Sequence, residues 1–493
     1  MDSKSIRQVD SVYDVIIVGA GISGINAAYR IQEKLPNRTY AILEGRKDFG
    51  GTWDLFRYPG IRSDTDLHSF GFSWFPWAEK RAIADGGSIV RYLRKAAEKK
   101  GIDRHVQFKR SVLSASWISA EQSWSLMVET DSGERVEYQA RFLILGTGYY
   151  DYKEPLEPQI PGLDNFKGQV IHPQYWPEQL DYANKEVVII GSGATAITLL
   201  PNLAKKAKKV TMLQRSPTYI LSIDNSTGNS WFHRMLPELW SFKISRWAFI
   251  WTTAIIFWLC RAFPNAARSK LQRWVAEQLP VHVPVDPHFT PLYRPWDQRI
   301  CFSPNGDFFK AIREDNAHVV TDHVSAMNGD AIVLSSGNQL KADIIVTATG
   351  LKLNVGGRIH FKVDGESVEL SEKIAWRAAM LSDVPNLAFM IGYVNASWTL
   401  GADTSAHLIC RLLQHMQKKG KTSAVPRSPK YTQTRPIWNL DATYVKKAQE
   451  TMPKCGDSGP WKGRTNYFYD LWLAKNGNIT AGLELSAAEN AKF

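Results

Sequence analysis

The chain has 493 residues, of which 44% are hydrophobic and 22% charged. That is an ordinary globular balance, long enough for several cores, and it excludes disordered, collagen-like and coiled-coil classes. Sixty basic against 48 acidic residues leave a net charge of +12, an excess that suits phosphates or a membrane surface. No Lys/Arg run exceeds three residues and no nucleic-acid-binding signature is present, so the charge reads as dispersed surface and no nucleic-acid partner is expected. Cys260, Cys301, Cys410 and Cys455 lie far apart, with no C-x-x-C and no histidine at ligand spacing. This argues against a bound metal or a disulfide framework and for a reducing, cytoplasmic setting.

The polar opening MDSKSIRQVD predicts no signal peptide. Residues 12–18 are an apolar run of buried-strand length. They lead into Gly19-Ala20-Gly21-Ile22-Ser23-Gly24 and then the helical pattern INAAYRIQEKL. In strand–turn–helix context G-x-G-x-x-G is a dinucleotide fingerprint. Gly19 permits the tight turn, Gly21 lets the backbone approach a pyrophosphate, and Gly24 packs helix on strand. The helix dipole then faces the diphosphate with its positive end. A second strand, 39–43, ends at Glu44, twenty residues past Gly24, where an acid holds a ribose 2′-hydroxyl.

The same grammar returns at residues 187–190, which lead into Gly191-Ser192-Gly193-Ala194-Thr195-Ala196 and the helical ITLLPNLAKKA. After the next strand, 210–213, the position comparable to Glu44 carries Gln214-Arg215-Ser216. Arginine there accommodates a 2′-phosphate, so the second turn is expected to hold NADP and the first a dinucleotide with a free ribose. Two such units about 170 residues apart indicate a flavoprotein fed by a nicotinamide cofactor.

Residues 142–148 and 342–350 are buried strands ending in small-residue turns. We read the first as the crossing out of the FAD unit and the second as the return that completes it. The expected class is α/β, with two Rossmann-like dinucleotide-binding domains and a helical insertion in the NADP domain. An FAD domain spans 1–150 and 335–493; an NADP domain spans 151–334, with a helical subdomain at about 225–298. Inside that insertion, residues 247–260 (WAFIWTTAIIFWLC) are too short an apolar run to cross a bilayer. Their length fits a buried helix or pocket wall better than an interfacial helix in peripheral membrane contact.

Disulfide reductases share the two-dinucleotide plan but need a redox cysteine pair, and the nearest two cysteines here are 41 residues apart. Two longer patterns decide the class. Residues 166–177, FKGQVIHPQYWP, resemble the F-x-G-x-x-x-H-x-x-x-W-P signature of class B flavoprotein Baeyer–Villiger monooxygenases. Residues 50–64, GGTWDLFRYPGIRSD, are similar to the G-G-x-W-x-x-x-x-Y-P-G-x-x-x-D motif of the same family. With GSGATA, LQRSPTYI, PWDQR and NASWTL, the resemblance runs nearly the whole chain and is greatest to the mycobacterial ethionamide-activating subgroup.

The resemblance implies an NADPH- and FAD-dependent oxidoreductase. In that family oxygen adds at flavin C4a, and the resulting peroxide attacks a ketone to give an ester or lactone, sulfides and thioamides being further substrates. It implies a catalytic Arg299, with Asp64 holding and tuning it. FAD contacts fall on Ser23, Glu44, Thr52, Trp53, Asp54, Leu55 and Val112, and the flavin–nicotinamide junction on Arg62, Ser63 and Asp64. NADP falls on residues 191–196 with Arg215 and Ser216. His172 and Trp176 couple the domains rather than transfer protons. Two departures stand out: Gln298 replaces a lysine that grips the 2′-phosphate in many relatives, and Asp54 replaces a common aromatic. The alternatives are an S/N-oxygenase with little ketone activity, or a non-catalytic FAD/NADP-binding protein. In every catalytic reading the partners are a small ketone or sulfide and O2.

Overall fold

The computed structural model describes residues 7–226, 237–438 and 440–488. Its first sheet is laid down by β1 (Arg7–Val18), which enters helix α1 (Ile22–Lys34), followed by β2 (Tyr40–Glu44), β3 (Val106–Phe108), β4 (Arg110–Ile118), β5 (Ser123–Thr130) and β6 (Arg135–Leu145). β3, β2, β1 and β6 lie side by side and parallel. The far edge of β6 is shared. Its first half pairs antiparallel with β5, and its last residues pair parallel with Leu387–Phe389. Side chains alternate across this sheet with the two-residue period of a strand. Val15, Ile17 and Ile42 bury against α1 and the helix Trp398–Lys418. Ile16, Val18, Leu43, Leu143 and Leu145 bury on the other face, with Trp117 and Trp124 of the β4–β5 ribbon.

The second sheet is wholly parallel, in the order Ala317–Thr321, Lys209–Gln214, Glu186–Ile190, Ile344–Thr347, Gln169–Ile171. This corrects one boundary. The strand at 342–350, expected to complete the first domain, sits inside the second sheet instead, with Ile344 opposite both Val187 and Gln169. The physical reason is close packing at the nucleotide turns. A Cβ on Gly19 would lie 2.7 Å from the Gly146 carbonyl oxygen, and one on Gly191 would lie 2.2 Å from that of Ala348. Each glycine turn therefore seats on the small-residue strand end of its own sheet. The second domain runs past 334 to about Gly350, and the chain rejoins the first sheet at His360–Val363, parallel to β4.

The insertion is closed at its base by two adjacent parallel strands, Ile220–Ile223 and Cys301–Pro304. Between them stand the helices Glu238–Ala262 and Pro264–Ala276, bent by 115° at their junction. No single described helix is long and apolar enough to cross a membrane. The burial expected for 247–260 is overturned: Trp247, Trp251 and Trp258 are 44%, 52% and 60% exposed, and only one edge, through Phe242, Arg246, Ile250 and Cys260, is buried. An apolar run carries the same composition whichever way its faces point, and here the buried edge is narrow.

Gly191 has φ +130°. Gly191→Ala should lower unfolding stability by about 1–3 kcal/mol from backbone strain alone. It should also weaken NADP+ binding while the FAD unit keeps its fold. Denaturant titration and NADP+ titration of the same variant check this; equal loss of both nucleotides would contradict it.

Candidate active site

Both glycine turns open onto one continuous cleft of about 1070 Å3, whose walls include Gly19, Gly21, Gly191, Gly193, Asp64 and Arg299. In the first unit Gly24 does not line the cleft. It packs instead, since a Cβ there would meet the Gly19 oxygen at 1.9 Å. Gly21 faces Gly51 across a gap, and a Cβ on Gly21 would stand 3.8 Å from the Gly51 Cα. Side chains at either position would fill this cradle. The N-terminus of α1 has no side-chain cap, so its free N–H groups point into the cradle, a ready site for a diphosphate.

Glu44 lies at the cleft's inner end, buried. Burial pushes its carboxyl pKa up, opposed by the backbone N–H groups of Ala20 and Arg46, which donate to its two oxygens at 2.6 and 2.8 Å. Each oxygen keeps a second lone pair for a ribose hydroxyl. Thr52, whose hydroxyl bonds that of Tyr152 at 2.9 Å, joins Ser23, Trp53 and Val112 on the walls. These residues fit the adenine dinucleotide of a flavin.

The second unit repeats the arrangement. The helix Ala194–Leu203 is likewise uncapped, and a Cβ on Gly193 would meet nothing within 4 Å, leaving room for a second diphosphate. The Ser192 hydroxyl donates to the Ser216 carbonyl at 2.7 Å, tying the turn to the strand end that presents Arg215. Arg215 is exposed and reaches Thr443 at 3.4 Å, while Gln298 reaches the Asp441 carbonyl at 3.5 Å. Residues 441–447 thus close over this end of the cleft, and Lys447 joins its lining.

Between the two units stands Arg299, two residues before the strand Cys301–Pro304. Its Nη1 donates to Asp64 Oδ2 at 2.7 Å, its Nε to the Val394 carbonyl at 3.1 Å and its Nη2 to the Ala396 carbonyl at 3.2 Å. Burial alone would lower the guanidinium pKa. The Asp64 carboxylate beside it outweighs that and raises it. Arg299 follows Trp296, a non-glycine residue at φ +71° whose ring packs edge-on against Phe257 of the insertion. Asp64 ends a loop held against the helix Ala194–Leu203 by Gly60, where a Cβ would stand 2.0 Å from Asn202 Nδ2.

Besides Gly24, and Trp176 in the second domain's core, four residues of the expected set do not face the cleft. Asp54 turns inward to pair with Arg46 at 2.5 Å and Arg57 at 2.8 Å, and Leu55 beside it also points away. They belong to a single helical turn, Thr52–Leu55, whose successive side chains point in different directions, so Thr52 and Trp53 reach the cleft and their neighbours cannot. Ser63 is buried and accepts the Ala84 N–H at 3.2 Å. Ala196 is wholly buried under its helix. Arg62 lines the cleft but is ion-paired with Asp307.

His172 also lines the cleft. Its Nδ1 accepts the Gln174 N–H at 3.2 Å, and burial lowers its pKa. Trp176 packs in the second domain's core beside Phe56 and Tyr58, which come from the first domain's motif loop.

Sequence reading missed the aromatic wall opposite the two turns. Tyr149 stacks on Trp398 with ring centroids 4.5 Å apart and bonds Tyr150 hydroxyl to hydroxyl at 2.5 Å. Trp398 in turn donates to the Ser23 hydroxyl at 2.9 Å. The one available signal was position, since Tyr149 and Tyr150 directly follow the first crossing turn.

Comparison with known proteins agrees with this geometry. A family model described as pyridine nucleotide-disulphide oxidoreductase matches residues 16–228. The FAD-containing monooxygenase EthA of Mycolicibacterium smegmatis is 45% identical over 472 residues, 95% of each chain. A probable FAD-binding monooxygenase, AlmA of Acinetobacter baylyi, is 43% identical over 474 residues, again 95% of each. Among solved structures, an oxidized steroid monooxygenase bound to NADP superposes with a TM-score of 0.76 at 20% identity, covering 97% of this chain and 100% of that one. Cyclohexanone monooxygenase from Rhodococcus sp. Phi1 bound to NADP+ gives 0.72 at 21% identity, covering 98% and 100%. The chain belongs to the FAD-containing monooxygenases.

Proposed function

We propose that this enzyme inserts one atom of O2 beside the carbonyl of a ketone, giving an ester or lactone, and that it also oxygenates sulfides and thioamides. Ketone, O2, NADPH and a proton become ester, water and NADP+. Bound FAD supplies the redox chemistry, carrying the electrons of NADPH to O2. The chain's own part is electrostatic. Arg299 has five N–H donors, and three are taken by Asp64, Val394 and Ala396. The remaining two are free for developing negative charge in the cleft. Because its pKa is raised, the guanidinium stays cationic at any working pH and cannot lose its proton to a basic oxygen species.

Asp64 and the two carbonyls fix the plane of that cation before the reaction, so no reorganisation is needed as charge develops. Tyr149, Tyr150 and Tyr444 wall the site as neutral phenols, because burial pushes the pKa of each up. With Trp398 they exclude water that would drain activated oxygen to hydrogen peroxide. His172 serves as a positioning residue directly after the edge strand Gln169–Ile171 of the second sheet, its Nδ1 occupied by the turn it begins. The observation that carries this reading is Arg299 held across the domain seam, in the cleft shared by both nucleotide turns.

Incubation with NADPH, O2 and linear ketones of graded chain length should yield esters with one oxygen derived from O2. Product must be scored directly, since uncoupled turnover also consumes NADPH. Sulfoxide from a thioether with no ester from any ketone would assign the enzyme to S-oxygenation alone.

Arg299→Ala should leave bleaching of the flavin by NADPH largely intact while product formation falls by about a hundredfold or more. Undiminished ester yield would refute the role given to this residue. For the cofactor, Arg215→Ala should raise the KM for NADPH about tenfold, the loss of one charge-assisted hydrogen bond, and leave the KM for NADH unchanged. Gln298→Lys should move the NADPH value the other way.

A further inference from the structure

The helix Glu238–Ala262 carries an apolar stripe that nothing in the oxygenation chemistry uses. Trp240, Ile244, Trp247, Trp251, Ile255 and Trp258 are each between 41% and 61% exposed. They recur at spacings of four, three, four, four and three, which puts them on one face. The stripe is about 27 Å long at the helical rise. Trp247 and Trp251 stack on Phe468 at 6.3 and 4.2 Å yet stay 44% and 52% exposed, so the strip is covered only in part, and soluble surfaces seldom leave so long an apolar strip half open.

The helix cannot roll to bury it. Its opposite edge is anchored by Arg246, whose Nη1 donates to the carbonyls of His68, Ser69 and Gly71 at 2.7, 3.2 and 2.8 Å. Phe249 stacks on His68 from the same edge.

Charge identifies what meets the stripe. From Leu239 to Ala276 there is no acidic residue and there are six basic ones. Among these, Lys243, Lys270 and Arg273 are exposed and have no salt bridge among the described residues. Lys243 sits over the Trp240 ring at 5.5 Å and Lys270 over Trp274 at 4.9 Å. Tryptophan flanked by lysine and arginine is the composition that settles at the headgroup level of a bilayer. A protein partner would have to offer a long apolar groove rimmed entirely by acids, whereas an anionic bilayer offers both features on any patch.

We propose that this face docks on the surface of an anionic lipid bilayer, lying in the interface without crossing it. The docked face is one layer from the site. Arg246 holds the segment that follows Asp64, and Phe257 packs on Trp296, three residues before Arg299. Docking therefore brings the cleft close to apolar compounds dissolved in the membrane. It stands apart from the oxygenation reading, because vesicle binding is measured without substrate.

The test is co-sedimentation of the FAD-loaded enzyme with phosphatidylcholine vesicles, with and without about 30% phosphatidylglycerol, at low and at high salt. The enzyme should sediment with the anionic vesicles, with a blue shift of tryptophan emission, and release as salt rises. The triple variant Trp240→Ser, Ile255→Ser, Trp258→Ser should bind at least about tenfold more weakly while keeping flavin absorbance and bleaching by NADPH. Lys243→Glu, Lys270→Glu, Arg273→Glu together should lose about tenfold or more on anionic vesicles only. Failure of the unaltered enzyme to sediment with either vesicle overturns the proposal. So does a dimer of the unaltered enzyme that falls apart in the serine variant, which would make a second copy the stripe's cover.

Discussion

A carboxylate from one domain holding a guanidinium from the other is the contact around which this molecule is arranged. Asp64 and Arg299 are separated by 235 residues, and the two carbonyls that complete the guanidinium's shell lie a further 95 and 97 residues along the chain. Both side chains remain partly exposed, 43% and 30%, at the cleft. A pair so placed adds little to stability, since solvent screens it and two side chains must be ordered. Its value is directional. The cation is fixed in position where both nucleotide turns open, and every other feature of the seam serves to keep it there. Gly60 lets the Asp64 loop lie flat on the helix Ala194–Leu203, and Phe56 and Tyr58 from the same loop enter the second domain's core.

Two copies of one device surround that pair, and the same constraint shapes both. A strand hands over to a helix through a glycine at positive φ, Gly19 at +102° and Gly191 at +130°. The turn is so tight that it rests on the carbonyl at the end of a neighbouring strand. The uncapped helix start then offers its N–H groups to an anion. What differs is the group at the end of the next strand: a buried glutamate in the first unit and an exposed arginine in the second. A buried carboxylate suits a neutral hydroxyl as its partner; an exposed guanidinium suits a dianion in water. Substrate oxygenation needs both reagents at one point, so the repeated unit faces its double across a common cleft.

The parts legible in the sequence were those forced by local geometry. Only glycine fits at 19, 24 and 191, so the turns announced themselves, and the acid or arginine at a fixed distance followed. Sheet membership was not legible for Ile344–Thr347. A strand buried on both faces has no alternation to mark its neighbours, and the identity of those neighbours is set 150 residues away. Motif membership also overreached. The run 50–64 mixes residues that line the cleft with residues that hold the run together. Asp54 and Ser63 are of the second kind, bound to Arg46, Arg57 and the Ala84 backbone. The aromatic wall escaped because Tyr149, Trp398 and Trp438 meet only in space.

The inserted helix was misjudged for a related reason that bears on function. A segment apolar on all sides is ordinarily buried, because exposing it is costly. Burial here stops at one edge, yet that edge is unusually well fixed, with a guanidinium spent on three main-chain carbonyls and aromatic stacking beside it. Such anchoring would be superfluous for a helix whose sole task was to fill space. It makes sense if the opposite face must be presented at a set orientation. The segments gripped are those that carry Asp64 and Arg299, so the position of the outer face and the geometry of the cleft are mechanically one element. Whatever the stripe rests on is therefore positioned relative to the reacting groups by the same contacts that position those groups relative to each other.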